Sequence, residues 1–152
     1  MELRCELMPP ALDEDLVAHL ANLAAEIDGA RPGQWEDDLA EFNRLAGTAI
    51  PYEQFQGISG AEDHADWVRR LLYRQSVAPV PDLSREEMVE IVSRVQSLPP
   101  PHRDFYLESF EVNCNHPSRS DLIFWPNLVS ELPQDREPTA EEIAEHAMRG
   151  RT

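Results

Sequence analysis

The chain has 152 residues, with 29 acidic and 13 basic side chains and a formal net charge of −16. Every basic residue is an arginine, which excludes a Schiff-base lysine and the lysine of a phosphate-binding P-loop. The excess of negative charge argues against nucleic acid as a direct partner, because phosphate contacts need surplus cations. The same charge would attract a basic partner towards the chain.

Capping residues and apolar periodicity predict helices in the first half of the chain, over residues 13–27, 34–46, 52–56 and 61–74. Asp13 caps the first of these helices, and Gly29 ends it. The stretch Ser59-Gly60-Ala61-Glu62 fits a capping box, in which the serine and the glutamate satisfy each other's amides. The expected inward stripes are Leu16, Leu20, Leu23 and Ile27 in the first helix and Leu39, Phe42 and Leu45 in the second.

The stiff stretch Pro79-Val80-Pro81 separates these helices from a second set, predicted over residues 84–97, 102–113, 121–125 and 139–148. Ser84 to Glu87 and Thr139 to Glu142 are further capping boxes. The expected inward residues of the helix after Ser84 are Met88, Ile91, Val92 and Val95. We therefore predict an all-α chain, with an N-terminal helical module over residues 1–78 and a C-terminal helical domain over residues 83–152.

The two halves share a sequence pattern in their second helices. Leu39 to Phe42 and Leu107 to Phe110 both read L-x-x-F. This similarity is compatible with an ancient duplication, which would make residues 1–78 a degenerate repeat, and equally with chance resemblance between two small helical modules.

The stretch HPSRSDLIFWP, residues 116–126, encloses a short helical element between two prolines. Its start can be capped by either Ser118 or Ser120. At about 100° per residue, Leu122 and Ile123 share one side of this element, and Asp121, Phe124 and Trp125 share the other. Large aromatic residues usually bury, so the geometry alone leaves open whether the two rings are core or form an exposed binding anchor.

Catalytic and metal-binding patterns are weak in this sequence. Cys5 and Cys114 are far apart, which favours two unpaired thiols in a reducing compartment. Adjacent carboxylates surround His64, but consecutive helical residues point in different directions and cannot converge on one ion. A Cys114–His116 dyad lacks a predicted third group and an oxyanion site. We therefore expect that the chain is not an enzyme and that it binds no metal and no cofactor. Without a signal peptide or a long apolar run, we also expect a cytoplasmic protein that does not enter a membrane.

Residues 116–126 resemble the signature of the nuclease-colicin and pyocin immunity proteins, which reads roughly H-P-x-G-S-D-L-I-Y-Y-P. Arg119 stands where that signature has glycine, and Phe124-Trp125 stand where it has two tyrosines. The order of helices around the string fits as well, so the resemblance covers about residues 83–148. It implies a small four-helix bundle that binds and inhibits the cytotoxic nuclease domain of a bacteriocin, beside the active site of that domain.

The resemblance also implies which residues meet the partner. The shared energetic anchor corresponds to Ser120, Asp121, Phe124 and Trp125. The selectivity face on the preceding helix corresponds to Arg103, Asp104, Leu107, Glu108 and Glu111. It further favours the outward orientation for the two rings.

Our leading hypothesis is therefore an immunity protein for a basic nuclease toxin domain, a monomer or a weak dimer when free. The alternative is a helical adaptor that recognises a protein other than a nuclease. The role of residues 1–78 stays open between a second immunity-like module, an extension of the partner surface and a stabilising cap.

Overall fold

The computed structural model describes residues 2–31, 33–58, 63–100 and 102–149, and every regular element within these ranges is helical. The α-helices are α1 (Glu14–Asp28), α2 (Glu36–Ala46), α3 (His64–Gln75), α4 (Arg85–Ser97), α5 (His102–Asn113), α6 (Asp121–Phe124) and α7 (Ala140–Met148). Short 3₁₀ turns cover Cys5–Leu7, Tyr52–Phe55 and Pro126–Leu128. The all-α prediction is confirmed. Among the described helices, none combines the length and the apolar character that crossing a membrane requires.

Predicted capping residues begin three of these helices, α1, α4 and α7. The Asp13 carboxylate accepts hydrogen bonds from the amides of Asp15 and Leu16 at the start of α1. Reciprocal capping boxes are formed by Ser84 with Glu87 at α4 and by Thr139 with Glu142 at α7. The capping box predicted at Ser59 to Glu62 lies outside the described residues.

The chain divides into two compact units. One unit consists of Pro10–Gln75, and the other joins the described residues up to Pro9 to those from Ser76 onward. The predicted division at residues 1–78 and 83–152 had placed the first nine residues with the N-terminal helices. The structure groups this segment with the C-terminal helices instead.

In the Pro10–Gln75 unit, α1 packs against both α2 and α3. The fully buried side chains on these helices and on the Tyr52–Phe55 turn are Val17, Leu20, Ala24, Ile27, Phe42, Phe55 and Val68. Of the stripe predicted for α1, Leu20, Leu23 and Ile27 are buried, whereas Leu16 is only partly buried and Val17 and Ala24 complete the buried side. Leu39 and Leu45 are likewise only partly buried, and Phe42 carries the apolar face of α2.

In the other unit, α4 is the central helix and packs against both α5 and α7. All the residues predicted to face inward from α4 are buried, namely Met88, Ile91, Val92 and Val95. The buried Asn113 carboxamide accepts a hydrogen bond from the Val80 amide at 2.8 Å and donates one to the Ser109 carbonyl. Asn113 thereby fixes the end of α5 to the chain segment that leads into α4.

The N-terminal segment is integrated into this unit by apolar and charged contacts. Leu3 and Leu7 are buried. The Arg4 guanidinium donates to both carboxylate oxygens of Glu87 at 2.8 Å and to the carboxylate of Asp82 at 3.1 Å. This ion pair lowers the pKa of the Glu87 carboxyl. The sequence distance between these partners explains why local patterns grouped the segment with the N-terminal helices.

We expect Leu7→Ala to lower the free energy of unfolding by about 2–5 kcal/mol, because it removes a fully buried side chain and leaves a cavity. Met8→Ala is the matched control, since Met8 is 41 % exposed in the same segment. Urea unfolding measures the difference, and hydrogen exchange of the α4 amides locates it. Equal stability of the two variants would contradict the packing of this segment.

Candidate functional site

The single turn of α6 presents two aromatic residues to solvent. Leu122 is fully buried, whereas Phe124 is 45 % exposed and Trp125 is 58 % exposed. The outward orientation of both rings is thus confirmed. Since large aromatic side chains usually bury, two adjacent exposed rings are typical of a surface that another molecule covers.

The geometry of α6 differs from the helical prediction in three details. Ser120 precedes the helix with helical backbone angles, and its side chain makes no capping hydrogen bond. Ile123 is only half-buried, so it does not share the core position of Leu122. Trp125 lies beyond the helix, with φ −135° and ψ 55°, so helical periodicity does not apply to this residue. A helix of one turn imposes its periodicity too weakly to fix these positions.

The loop before α6 is attached to the end of α7. The Asn115 amide donates to the Ala147 carbonyl at 2.6 Å, and its side chain donates to the Arg149 carbonyl at 2.7 Å. The His116 ring stands edge-on to the ring of His146, with centroids 6.4 Å apart. These contacts satisfy carbonyls at the end of α7 and fix the position from which α6 begins.

Arg119 adopts a left-handed backbone conformation in this loop, with φ +46°. A side chain at such a φ is disfavoured by about 1–2 kcal/mol, and glycine avoids this cost. This is the position at which the immunity-protein signature has glycine. The loop therefore keeps the backbone shape that glycine favours, although the residue is an arginine.

A groove of about 620 Å³ lies beside the exposed rings. It runs between α6 with the following 3₁₀ turn and the loop that leads towards α7. The lining residues are Ile123, Phe124, Trp125, Pro126, Asn127, Pro133, Gln134, Asp135, Arg136 and Glu137. One side of the groove is therefore mainly apolar and aromatic, and the other is polar and charged.

Hydrogen bonds hold the loop side of the groove in place. The Gln134 side chain donates to the carbonyls of Val129 and Leu132, both at 3.0 Å. The Arg136 guanidinium pairs with both carboxylate oxygens of Glu142 at 2.6 and 2.9 Å, and lowers the pKa of that carboxyl to about 2. A longer bond of 3.4 Å from Gln134 to the Pro126 carbonyl attaches the loop to the 3₁₀ turn, and the Arg136–Glu142 pair attaches it to α7.

The predicted selectivity face lies on the outer side of α5. Its five residues fall within an arc of about 140°, and all are half-buried: Arg103, Asp104, Leu107, Glu108 and Glu111. The opposite side is buried and consists of Phe105, Tyr106, Ser109, Phe110 and Asn113. Helix α5 packs on α4, whereas α6 contacts α7 and the Pro126–Leu128 turn. The two parts of the predicted surface thus have different supporting helices.

The geometry around the weak catalytic patterns indicates structural roles. The Cys114 thiol donates to the main-chain carbonyl of His116 at 3.7 Å, and burial raises its pKa. The His116 imidazole accepts from the Ser118 amide, so the two side chains do not form a dyad. His64 lies 3.0 Å from the Asp28 carboxylate and joins α3 to the end of α1. Across the described ranges, no cluster of ligands suitable for a metal ion occurs.

Residues 80–151 match the family model described as colicin immunity protein / pyocin immunity protein. The predicted resemblance is confirmed over this segment, which contains α6, the groove and the α5 face. No curated protein and no solved structure matches the chain. The family match supports a bacteriocin immunity role in general and a bacteriocin toxin as the partner.

Sequence reasoning missed the loop side of the groove and the exposed Leu128. No element was predicted between residues 125 and 139, and Leu128 is 69 % exposed beside the aromatic pair. The pairing of Arg136 with Glu142 depends on the turn of the chain between them, which local patterns do not specify. The sequence signal that could have drawn attention to this segment is its two flanking prolines, Pro133 and Pro138.

We expect Arg119→Gly to raise the free energy of unfolding by roughly 0.5–1 kcal/mol, because relief of the left-handed strain exceeds the entropy cost of glycine in the unfolded chain. Arg119→Ala removes the same charge but retains the strain, and should give no such gain. Thermal or urea unfolding compares the two. An equal gain from alanine would show that the arginine side chain, and not its backbone conformation, is unfavourable.

The Arg136–Glu142 pair predicts a pH dependence of stability. Because folding lowers the pKa of Glu142 to about 2, the pair stabilises the folded state above about pH 4.5, and this contribution is lost as the pH falls towards 2. The stability difference between wild type and Glu142→Gln should therefore shrink over that range. The control Glu141→Gln should show a smaller change. If the stability difference between wild type and Glu142→Gln stays constant from about pH 6 to about pH 2, the pairing is contradicted.

Proposed function

We propose that this chain is an immunity protein that binds and inhibits the nuclease domain of a bacteriocin, and so protects the cell that produces the toxin. The proposal narrows the general immunity role to one class of toxin. We propose further that the chain itself performs no catalysis and that its partner is a basic protein. The partner surface is assigned to α5 and α6, and the Pro10–Gln75 unit is given no part in it.

The observation that carries this proposal is the exposed pair Phe124 and Trp125 on a turn whose Leu122 is buried. Binding energy at protein interfaces concentrates in a few large side chains that become fully desolvated. Two adjacent rings, flanked by the half-buried Asp121, meet that requirement. The pair also lies inside the string that resembles the immunity-protein signature.

The charge of the chain supports a nuclease as the partner. A nuclease domain needs surplus cations to hold phosphates, and the chain carries a net charge of −16. Opposite charges on two proteins accelerate their encounter and disfavour wrong partners. On the α5 face, Asp104, Glu108 and Glu111 outnumber Arg103, which suits contact with a basic surface.

The departures from the signature indicate a distinct partner. Phe124 lacks the hydroxyl of a tyrosine, and Trp125 offers an indole N–H on a larger ring. The complementary site on the toxin should therefore differ in shape and in hydrogen-bonding groups. We propose that the chain gives little protection against toxins whose immunity proteins carry the two tyrosines.

We expect Phe124→Ala and Trp125→Ala each to weaken binding to the cognate nuclease domain by about 2 kcal/mol or more, the usual magnitude for a central interface residue. Met8→Ala is the control, because it shortens an exposed apolar side chain outside the proposed surface. Calorimetric titration gives the affinities, and circular dichroism verifies the helical content of each variant.

Unchanged affinity in both aromatic variants, with the fold intact, would refute the proposed surface. If the wild-type chain neither binds nor inhibits any member of a panel of bacteriocin nuclease domains, the nuclease proposal is refuted and the adaptor is favoured. Turnover of a substrate by the chain alone would contradict its assignment as a stoichiometric inhibitor.

A further inference from the structure

The groove beside the exposed rings has two chemically different sides. Ile123, Phe124 and Trp125 supply an apolar and aromatic wall, and the facing loop contributes the exposed carboxylates of Asp135 and Glu137. A side chain that fits this groove must combine an apolar stem with a positive end. An acidic side chain would be repelled by the carboxylates, and a purely apolar one would desolvate them without pairing them.

The positive charge of Arg136 does not cancel the negative charge of this loop. Its guanidinium donates to both carboxylate oxygens of Glu142 and to the Glu137 carbonyl. Together, Asp135, Arg136, Glu137 and Glu142 carry three negative charges and one positive charge. The groove therefore favours a cation, and carboxylates strengthen hydrogen bonds to a charged donor.

The groove is formed before a partner arrives. The Gln134 side chain donates to the carbonyls of Pro126 and Val129 and so fixes the loop to the 3₁₀ turn and its following residue, and the Arg136–Glu142 pair fixes it to α7. Leu122 is buried and fixes the aromatic wall. Ordering a loop on binding costs free energy, and a loop that is already held avoids much of that cost.

We propose that this groove receives an arginine side chain of the toxin, an assignment that deepens the proposed function and rests on it. The planar guanidinium would stack on the Trp125 indole and donate to Asp135 and Glu137, while its stem lies along Ile123 and Phe124. Stacking together with forked hydrogen bonding suits arginine better than lysine, whose ammonium is a compact point charge.

The first experiment needs no toxin. N-acetyl-arginine amide is titrated into the full chain at constant ionic strength, and amide and indole resonances are followed by nuclear magnetic resonance. We expect saturable shifts at Trp125 and residues 133–137, a weaker response to N-acetyl-lysine amide, and none to the citrulline analogue, which is uncharged but similar in shape. Shifts spread over the acidic surface, or equal shifts with lysine or citrulline amide, would overturn the assignment.

The second experiment measures binding to the bacteriocin nuclease domain that the chain is found to inhibit. The double variant Asp135→Asn, Glu137→Gln should weaken binding about tenfold, mainly through faster dissociation. Glu141→Gln, Glu145→Gln changes the net charge equally on α7 and should have a smaller effect. Equal effects of the two double variants would show that Asp135 and Glu137 act only through the net charge, and would overturn the proposal. If the wild-type chain inhibits no bacteriocin nuclease domain, the proposed function fails independently of the first experiment.

Discussion

The burial of Leu122 determines what α6 can present to a partner. Burying a side chain as large as phenylalanine is worth about 1.5–3 kcal/mol, so two adjacent exposed rings would otherwise tend to turn inward. Leu122 occupies the inward position of this single turn, and the loop before it is fixed to the end of α7 through Asn115. A turn this short has few hydrogen bonds of its own, so these contacts set its orientation.

The charged side chains also have two roles: some form ion pairs within the chain, and the surplus carboxylates act on an approaching molecule. Several arginines are held in pairs within the chain, as Arg4 is with Glu87, Arg69 with Glu14 and Arg136 with Glu142. These pairs secure the N-terminal segment, the Pro10–Gln75 unit and the groove loop respectively. Each pair takes up one carboxylate and one arginine, so the surplus of acidic residues, and with it the net charge of −16, determines the field that an approaching molecule meets. This arrangement suits association with a basic protein.

Features set by a few neighbouring residues could be predicted from the sequence, whereas features set by distant contacts could not. The starts of α4 and α7 follow from capping boxes within four consecutive residues, and the structure confirms them. The integration of residues 2–9 depends on the contact of Arg4 with Glu87, which is distant in sequence. The groove likewise depends on the fold of residues 129–138 against α6, so its loop side was missed. The strain at Arg119 lies between these cases, because the glycine of the signature indicated the position but the φ value needed the structure.

The most direct test of the account is hydroxyl-radical footprinting of the chain, free and mixed with a bacteriocin nuclease domain that it binds. Phe124 and Trp125 should react readily in the free chain, since they are 45 % and 58 % exposed, and should be strongly protected in the mixture. Trp35 and Trp67 in the other unit serve as internal references whose reactivity should change little. A stable complex in which both rings of α6 remain as reactive as in the free chain would contradict the account.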